Sequence, residues 1–294
     1  MKLCLGTAQF GMEYGIQKSG QPTLTDALEM LKFAINNGVC AIDTAAAYGT
    51  AENIVGKYIK NNCEVRDQVK IISKLSPDVL AGKQNDQYFK AMHDCINQSI
   101  NRLNVDYLDI CLFHNPAYLL DEEAITALIR IKSAGLTRKV GVSVYTPDEA
   151  KIGIKYGLDV VQVPYSVFDQ RMEEQGVFEL AMRKNVEVHS RSAFTQGLML
   201  MSESNIPTDL NEVRPVVRAY SEFCSKAGCS RLEMALAFIE RQDCIEYLVF
   251  GVDRKEQLSE IIDAYRKPIN QDILSEAAKR FARIDERLIM PSKW

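Results

Sequence analysis

Eight short runs of β-branched and apolar residues, each followed by a segment long enough for a helix, constrain this chain more than any other feature. They are KLCLGT (2–7), VCAIDT (39–44), VKIISK (69–74), YLDICLFH (107–114), KVGVSV (139–144), DVVQV (159–163), VEVHS (186–190) and IEYLVFG (245–251). Their apolar residues are nearly continuous rather than alternating. Strands of that kind are buried on both faces, which in a β/α alternation means parallel strands under a cover of helices. Residues 86–103 show the cover best, because Phe89, Met92, Ile96, Ile100 and Leu103 recur at three- and four-residue steps and so bury one helix face. TPDE at 146–149 predicts a capping box, with Thr146 at the N-cap, Pro147 at the first helical position and Glu149 reaching back. Gly38, Gly135 and Gly157 stand where left-handed caps would end helices.

Eight such units within 294 residues fit a closed (β/α)8 TIM barrel of the α/β class better than an open sheet. No linker rich in Pro, Gly or Ser interrupts them, so 1–294 is expected to be a single domain. Two stretches exceed the plain repeat. Residues 194–228, after strand seven, would carry a helix at about 211–227, and 271–290 would form a C-terminal helix outside the barrel.

Composition narrows the function classes. The net charge of −4 comes without a basic stripe interleaved with aromatics, so nucleic acid is not expected as a partner. No apolar run could span a bilayer, and the N-terminal MKLCLGTAQFGMEYG reaches glycine too early for a signal peptide. A cytoplasmic protein with no membrane partner is the expectation. Eight cysteines are scattered without a CxxC pair, which suits reduced thiols and indicates neither zinc nor a disulfide framework. No metal is expected.

Reactive residues of such barrels project from the C-terminal ends of the strands. Strand two ends in Asp43 with Tyr48 just after it, strand three in Lys74 and strand four in His114. Singly these could be a helix cap, a rim aromatic, a surface charge and a core histidine. Together they converge on one mouth. A lysine inside that mouth must pair to stay charged, and Asp43 on the adjacent strand is the nearest carboxylate the topology offers. The ammonium is then expected to lower the pKa of Tyr48 and make it a competent acid. With His114 donating to the same oxygen, a substrate carbonyl would be polarised and protonated as a hydride reached its carbon. That chemistry is carbonyl reduction.

From LGTAQFG through DTAAAYGTAE, ISK, LDICLFH, GVSV, VQVPYSVFDQR and RSAFTQGLML to FGVDRKEQL, the chain resembles the aldo-keto reductases nearly end to end. The resemblance implies that Asp43, Tyr48, Lys74 and His114 form a catalytic tetrad, and that a nicotinamide cofactor lies across the barrel mouth without a Rossmann domain. The chain has no GxG, which agrees. By the same resemblance Ser143 and Gln162 hold the carboxamide and Arg191 stacks on the nicotinamide ring, with ordinary salt bridging the competing reading of Arg191. Gly6, Thr7, Asp43, Ser192, Gln196, Gly251, Val252, Asp253, Arg254 and Gln257 are the remaining implied cofactor contacts.

The chain departs from the family pattern at Val144, where many relatives have asparagine, and in the last loop, where Asp253 and Ile261 replace phosphate-gripping residues. NADP(H) is the leading cofactor expectation and NAD(H) stays open, since Asp253 would repel a 2′-phosphate and Arg254 would attract one. The leading function is reduction of an aldehyde or ketone, a sugar-like carbonyl among them, by a monomer or small homo-oligomer. A nicotinamide-binding sensor with little turnover and a redox-neutral epimerase or mutase-like enzyme are the alternatives. His93 is expected on the surface. His189 is expected to point away from the mouth, while Phe10, Tyr14, Tyr118, Tyr145 and Phe168 are candidates for the substrate pocket.

Overall fold

The computed structural model describes residues 1–16 and 20–290. Eight strands, β1 (Lys2–Gly6), β2 (Ala41–Asp43), β3 (Lys70–Lys74), β4 (Leu108–Phe113), β5 (Thr137–Ser143), β6 (Val160–Pro164), β7 (Glu187–Arg191) and β8 (Ile245–Gly251), form a closed barrel. Every neighbouring pair is parallel, and β8 returns to β1 with Gly6 opposite Gly251. The expected (β/α)8 barrel is therefore the fold.

The first half of the chain contributes α1 (Ala8–Gly11), α2 (Leu24–Asn36), α3 (Ala51–Asn61), α4 (Tyr88–Leu103), α5 (Glu122–Ser133) and α6 (Pro147–Lys155). The second half contributes α7 (Arg171–Glu174), α8 (Val177–Lys184), α9 (Arg214–Lys226), α10 (Arg231–Glu240), α11 (Lys255–Tyr265), α12 (Gln271–Phe281) and α13 (Glu286–Ile289). Met92, Ile96, Ile100 and Leu103 are the buried stripe of α4. The Thr146 capping box starts α6, and Gly38, Gly135 and Gly157 all take positive φ just past helix ends. One apolar layer lies between strands and helices. A smaller one, including Cys4, Ala41, Ile72, Ile110, Leu112 and Val160, fills the barrel itself. Fully burying one such aliphatic side chain contributes roughly 1.5–3 kcal/mol.

Two expectations need correction. The terminal helix stops at Phe281: Ala282 is extended and Arg283 takes φ 61°, so only the short α13 follows. Phe281 packs on Phe168, Tyr220 and Phe223, which seats this helix on α9 of the long insertion after β7. His189 shares a face with Arg191 rather than opposing it, because β7 extends to Arg191 and the strand period is two. Register pairs His189 with Gln162 inside the barrel, where it is fully buried, bonded through Nε2 to Glu187 at 2.7 Å and packed against Tyr247. Its role there is structural. His93 is part-exposed on α4 and stacks on Phe89.

Candidate active site

β1 and β2 set the first residue of the site. The Thr7 amide and hydroxyl both donate to the Asp43 carbonyl, at 2.9 and 3.1 Å, which fixes the end of β2 in the barrel mouth. Lys74 Nζ donates to Asp43 Oδ1 and, at 3.1 Å, to the Thr44 carbonyl. Gln162 Nε2 reaches across the barrel from β6 and donates to Asp43 Oδ2 at 2.8 Å. Asp43, Lys74 and Gln162 are only 3, 2 and 1 % exposed, so both carboxylate oxygens carry charge or amide partners where no solvent could replace them. Burial works against the Lys74 ammonium, but the charge and hydrogen bond of Asp43, with Tyr48 and Cys4 beside them, together hold the amine above its ordinary pKa.

Tyr48 is placed by two glycines that interlock. A Cβ on Gly11 would lie 1.7 Å from the Tyr48 carbonyl oxygen, and one on Gly49, itself at φ +51°, would lie 2.1 Å from the Gly11 carbonyl oxygen. Only bare backbone on both sides lets α1 sit against the turn that opens α3. The Tyr48 ring then stands edge-on to His114, with centroids 5.5 Å apart and planes at 87°. Lys74 Nζ lies 5.1 Å from the centre of the Tyr48 ring. The four tetrad candidates thus meet in one place.

The expected lowering of the Tyr48 pKa is reversed. Burial raises it first, Asp43 adds to the rise, and Lys74 and Arg191 pull the other way without prevailing. The phenol therefore keeps its proton well beyond neutral pH. His114 is pushed down to about 4, by burial first and the Lys74 charge second, so its imidazole is neutral. Its Nδ1 is buried with no hydrogen-bond partner among the described residues.

A pH prediction follows from His114. Between its unfolded value near 6.5 and its folded value of about 4, the unfolded chain binds the extra proton. This one group should thus lower stability by up to roughly 3 kcal/mol as pH falls from above 6.5 to about 4, with no further loss below that. NMR titration of the imidazole is the check. A midpoint at or above 6.5 would remove the claim.

From this centre a cleft of ≈ 400 Å³ runs toward α11. Gly6, Thr7, Asp43, Tyr48, Gln162, Arg191, Ser192, Gln196, Gly251, Val252, Asp253, Arg254 and Gln257 line it. Ser143 is buried opposite Gln162 in the register and is not among the lining residues. Lys74 and His114 are not among the residues that line it and reach the site through Asp43 and Tyr48, which do. Gln9, Phe194 and Glu260 line the cleft although the sequence reading did not single them out. Of the proposed pocket aromatics only Tyr14 does. Phe10 and Phe168 are core residues, Tyr118 donates to the Pro77 carbonyl at 3.0 Å, and Tyr145 lies under Arg191.

Arg191 donates to the Val144 carbonyl at 2.7 Å and to Ser192 Oγ at 3.1 Å, with its guanidinium 4.6 Å over the Tyr145 ring. Val144 therefore contributes its backbone to the mouth. The next segment is conformationally strained: Ser192, Thr195 and Gln196 take φ of 61, 47 and 53°, a left-handed conformation costly to residues other than glycine. Arg231 gathers the carbonyls of Met199, Leu200 and Met201 behind it. At Gly251 a Cβ would lie 2.4 Å from Gln9 Oε1, so the Gln9 amide packs directly against bare backbone there. A cleft walled by bare backbone, amides and the guanidinium groups of Arg191 and Arg254 fits a nicotinamide dinucleotide. Among the described residues no group of three or more His, Cys, Asp or Glu is arranged to hold a metal, and no helix is long and apolar enough to cross a membrane.

Comparison with known proteins bears on this arrangement. A solved aldo-keto reductase from Bacillus halodurans, in its holo form, superposes with a TM-score of 0.77 at 21% identity, covering 98% of this chain and 95% of that one. One from Klebsiella pneumoniae, in complex with NADP and acetate, gives 0.72 at 21% identity over 96% of this chain and 92% of that one. The NADH-specific methylglyoxal reductase of Escherichia coli is 26% identical over 259 residues, 77% of this chain and 78% of its own. The sequence model described as the Aldo/keto reductase family matches residues 2–279, and the chain belongs to that family of oxidoreductases.

Proposed function

We propose that the chain acts as one catalytic domain that reduces an aldehyde or ketone to an alcohol, with Tyr48 as the general acid. The observation that carries this reading is the buried Asp43–Lys74 pair set 5.1 Å beneath the Tyr48 ring, with neutral His114 edge-on beside it. When bound, the reduced nicotinamide supplies a hydride. Gln162 and Arg191 are the residues that would hold and cover its ring, and the Ser192–Gln196 and Gly251–Gln257 segments would hold its phosphates and adenosine.

The side chains of the protein supply the proton. His114 hydrogen-bonds the substrate oxygen and keeps it within reach of the Tyr48 hydroxyl. As negative charge grows on that oxygen, Tyr48 gives up its proton to it. A phenol is a much stronger acid than the alcohol formed, so the transfer runs downhill even with the raised pKa. Lys74 then faces the phenolate left behind and stabilises it, while Asp43 and Gln162 keep the ammonium in position. Incubation with NADPH or NADH and a panel of small aldehydes and hydroxyketones, followed at the reduced-nicotinamide absorbance band, tests the reading. Absence of turnover with every member of the panel would count against it.

The nucleotide preference follows from charge at the far end of the cleft. Relatives carry both labels, NADH-specific in one case and NADP-bound in another. Here Asp253 and Glu260 oppose Arg254 on the same wall, and carboxylates favour a ribose hydroxyl over a 2′-phosphate. Asp253→Ser is expected to raise kcat/KM for NADPH relative to NADH by roughly tenfold, and Glu260→Gln to move it the same way by less. An unchanged ratio in both variants would place neither carboxylate near the phosphate.

A further inference from the structure

Glu52 is the second residue of α3 and only 1 % exposed, yet it does not line the cleft. Its carboxylate is shared between two elements. Oε1 accepts from Ser73 Oγ on β3 at 2.6 Å, and Oε2 accepts from Arg102 Nε on α4 at 2.7 Å. Arg102 Nη2 lies 2.7 Å from the same oxygen and also donates to Ser99 Oγ at 3.2 Å. A carboxylate at this depth is tolerated only with such a set of partners. The helix carrying it is held at a second point, Gly56, where a Cβ would lie 2.0 Å from the Arg102 carbonyl oxygen. Arg102 therefore grips α3 twice, by its side chain at Glu52 and by its backbone at Gly56.

What gives this strut its interest is where its two ends lie. α3 grows directly out of the turn that carries Tyr48, whose carbonyl accepts from the Ala51 amide at 2.9 Å. Ser73 is the residue before Lys74. The Glu52–Ser73 hydrogen bond thus joins backbone four residues from the phenol to backbone one residue from the ammonium, from the outer side of β3. Glu52 is not among the leading charges on Tyr48, which are those of Lys74, Asp43, Tyr14 and Arg191. Its influence is one of distance.

We propose that Glu52 is a positioning residue that, through Ser73, fixes the spacing between the Tyr48 hydroxyl and the Lys74 ammonium. The inference rests on the reductase reading above. Proton transfer is sensitive to such spacing, since a displacement of about 1 Å can cost on the order of a hundredfold in rate.

Two variants separate positioning from plain stabilisation. Ser73→Ala breaks the link to β3 and leaves Glu52 paired with Arg102, whereas Arg102→Met removes the charge partner and leaves the link. Ser73→Ala is expected to lower kcat about tenfold, with KM for the nicotinamide nucleotide within about twofold of wild type and a fall in Tm of a few degrees, about 5 °C, from the unpaired Glu52 oxygen. Arg102→Met should lower Tm on the order of 10 °C and keep most of kcat below the transition. A second readout needs no turnover: NMR titration of 13C-labelled tyrosine, with the Tyr48 signal assigned by its loss in Tyr48→Phe. Ser73→Ala should shift that titration upward as the ammonium moves away. Wild-type kcat and an unmoved Tyr48 titration in Ser73→Ala would overturn the proposal, and so would activity losses that merely track Tm in both variants. If wild type reduces no carbonyl in the panel, the reductase reading fails, and the titration alone still decides the strut.

Discussion

Tyr48→Phe is expected to lower kcat by about 10³-fold and to leave the dissociation constant of the nicotinamide nucleotide within about twofold of wild type. The substitution removes one oxygen and keeps the ring. The edge-on contact with His114, the interlock of Gly11 with Gly49 and the start of α3 all depend on the ring and backbone, so the wall of the cleft keeps its shape. What disappears is the proton that the buried phenol holds above neutral pH. Single-turnover rates and nucleotide fluorescence titration measure the two halves of the claim. A variant that turns over like wild type would show that the proton comes from another group.

The second large effect is expected at Lys74, and it is both kinetic and thermodynamic. Lys74→Met keeps most of the side-chain volume but leaves Asp43 buried with one amide partner, the Gln162 bond, and without its counter-charge. Removing one member of a buried pair typically costs about 3–5 kcal/mol, so the urea midpoint should fall markedly. Turnover should fall with it even under folding conditions, because the phenolate left after proton transfer loses its neighbouring ammonium. Asp43→Asn, Lys74→Met as a double replacement should recover part of the stability and none of the rate. If the double variant is no more stable than Lys74→Met, the destabilisation does not come from an uncompensated Asp43.

The barrel was legible because its signal is repetitive. Eight apolar runs at regular spacing, the stripe of α4 and the capping box of α6 each rest on local periodicity that neighbouring residues report together. The grouping of Asp43, Lys74 and His114 was legible for a related reason, since strand ends face one mouth once the topology is known, and all three sit at such ends. Register errors arose where a strand boundary moved. Reading β7 as ending at Ser190 instead of Arg191 left the shared face of His189 and Arg191 unnoticed, and the break at Ala282 and Arg283 carries no proline or glycine to announce it.

The pKa of Tyr48 was misjudged for a different reason. A sequence names the charges that will be near a phenol but not how thoroughly the fold will dry it, and here drying prevails over Lys74. Gln9 and Glu260 escaped notice because each enters the cleft from a helix, α1 and α11, whose facing residue depends on how that helix rolls against the barrel. Phe10 and Phe168 erred in the opposite direction: both lie near the mouth in sequence, and both turn inward to fill the core.

The bond from Gln162 to Asp43 joins β6 to β2, strands that stand on opposite sides of the ring, 119 positions apart along the chain. A partly assembled barrel, with the N-terminal strands arranged and the later ones still loose, would hold the aspartate beside its lysine yet lack the amide that completes it. The bond thus ties the polar centre to the far side of the cylinder: the pairing of Asp43 with Lys74 needs only neighbouring strands, while its second oxygen depends on a strand half a turn away.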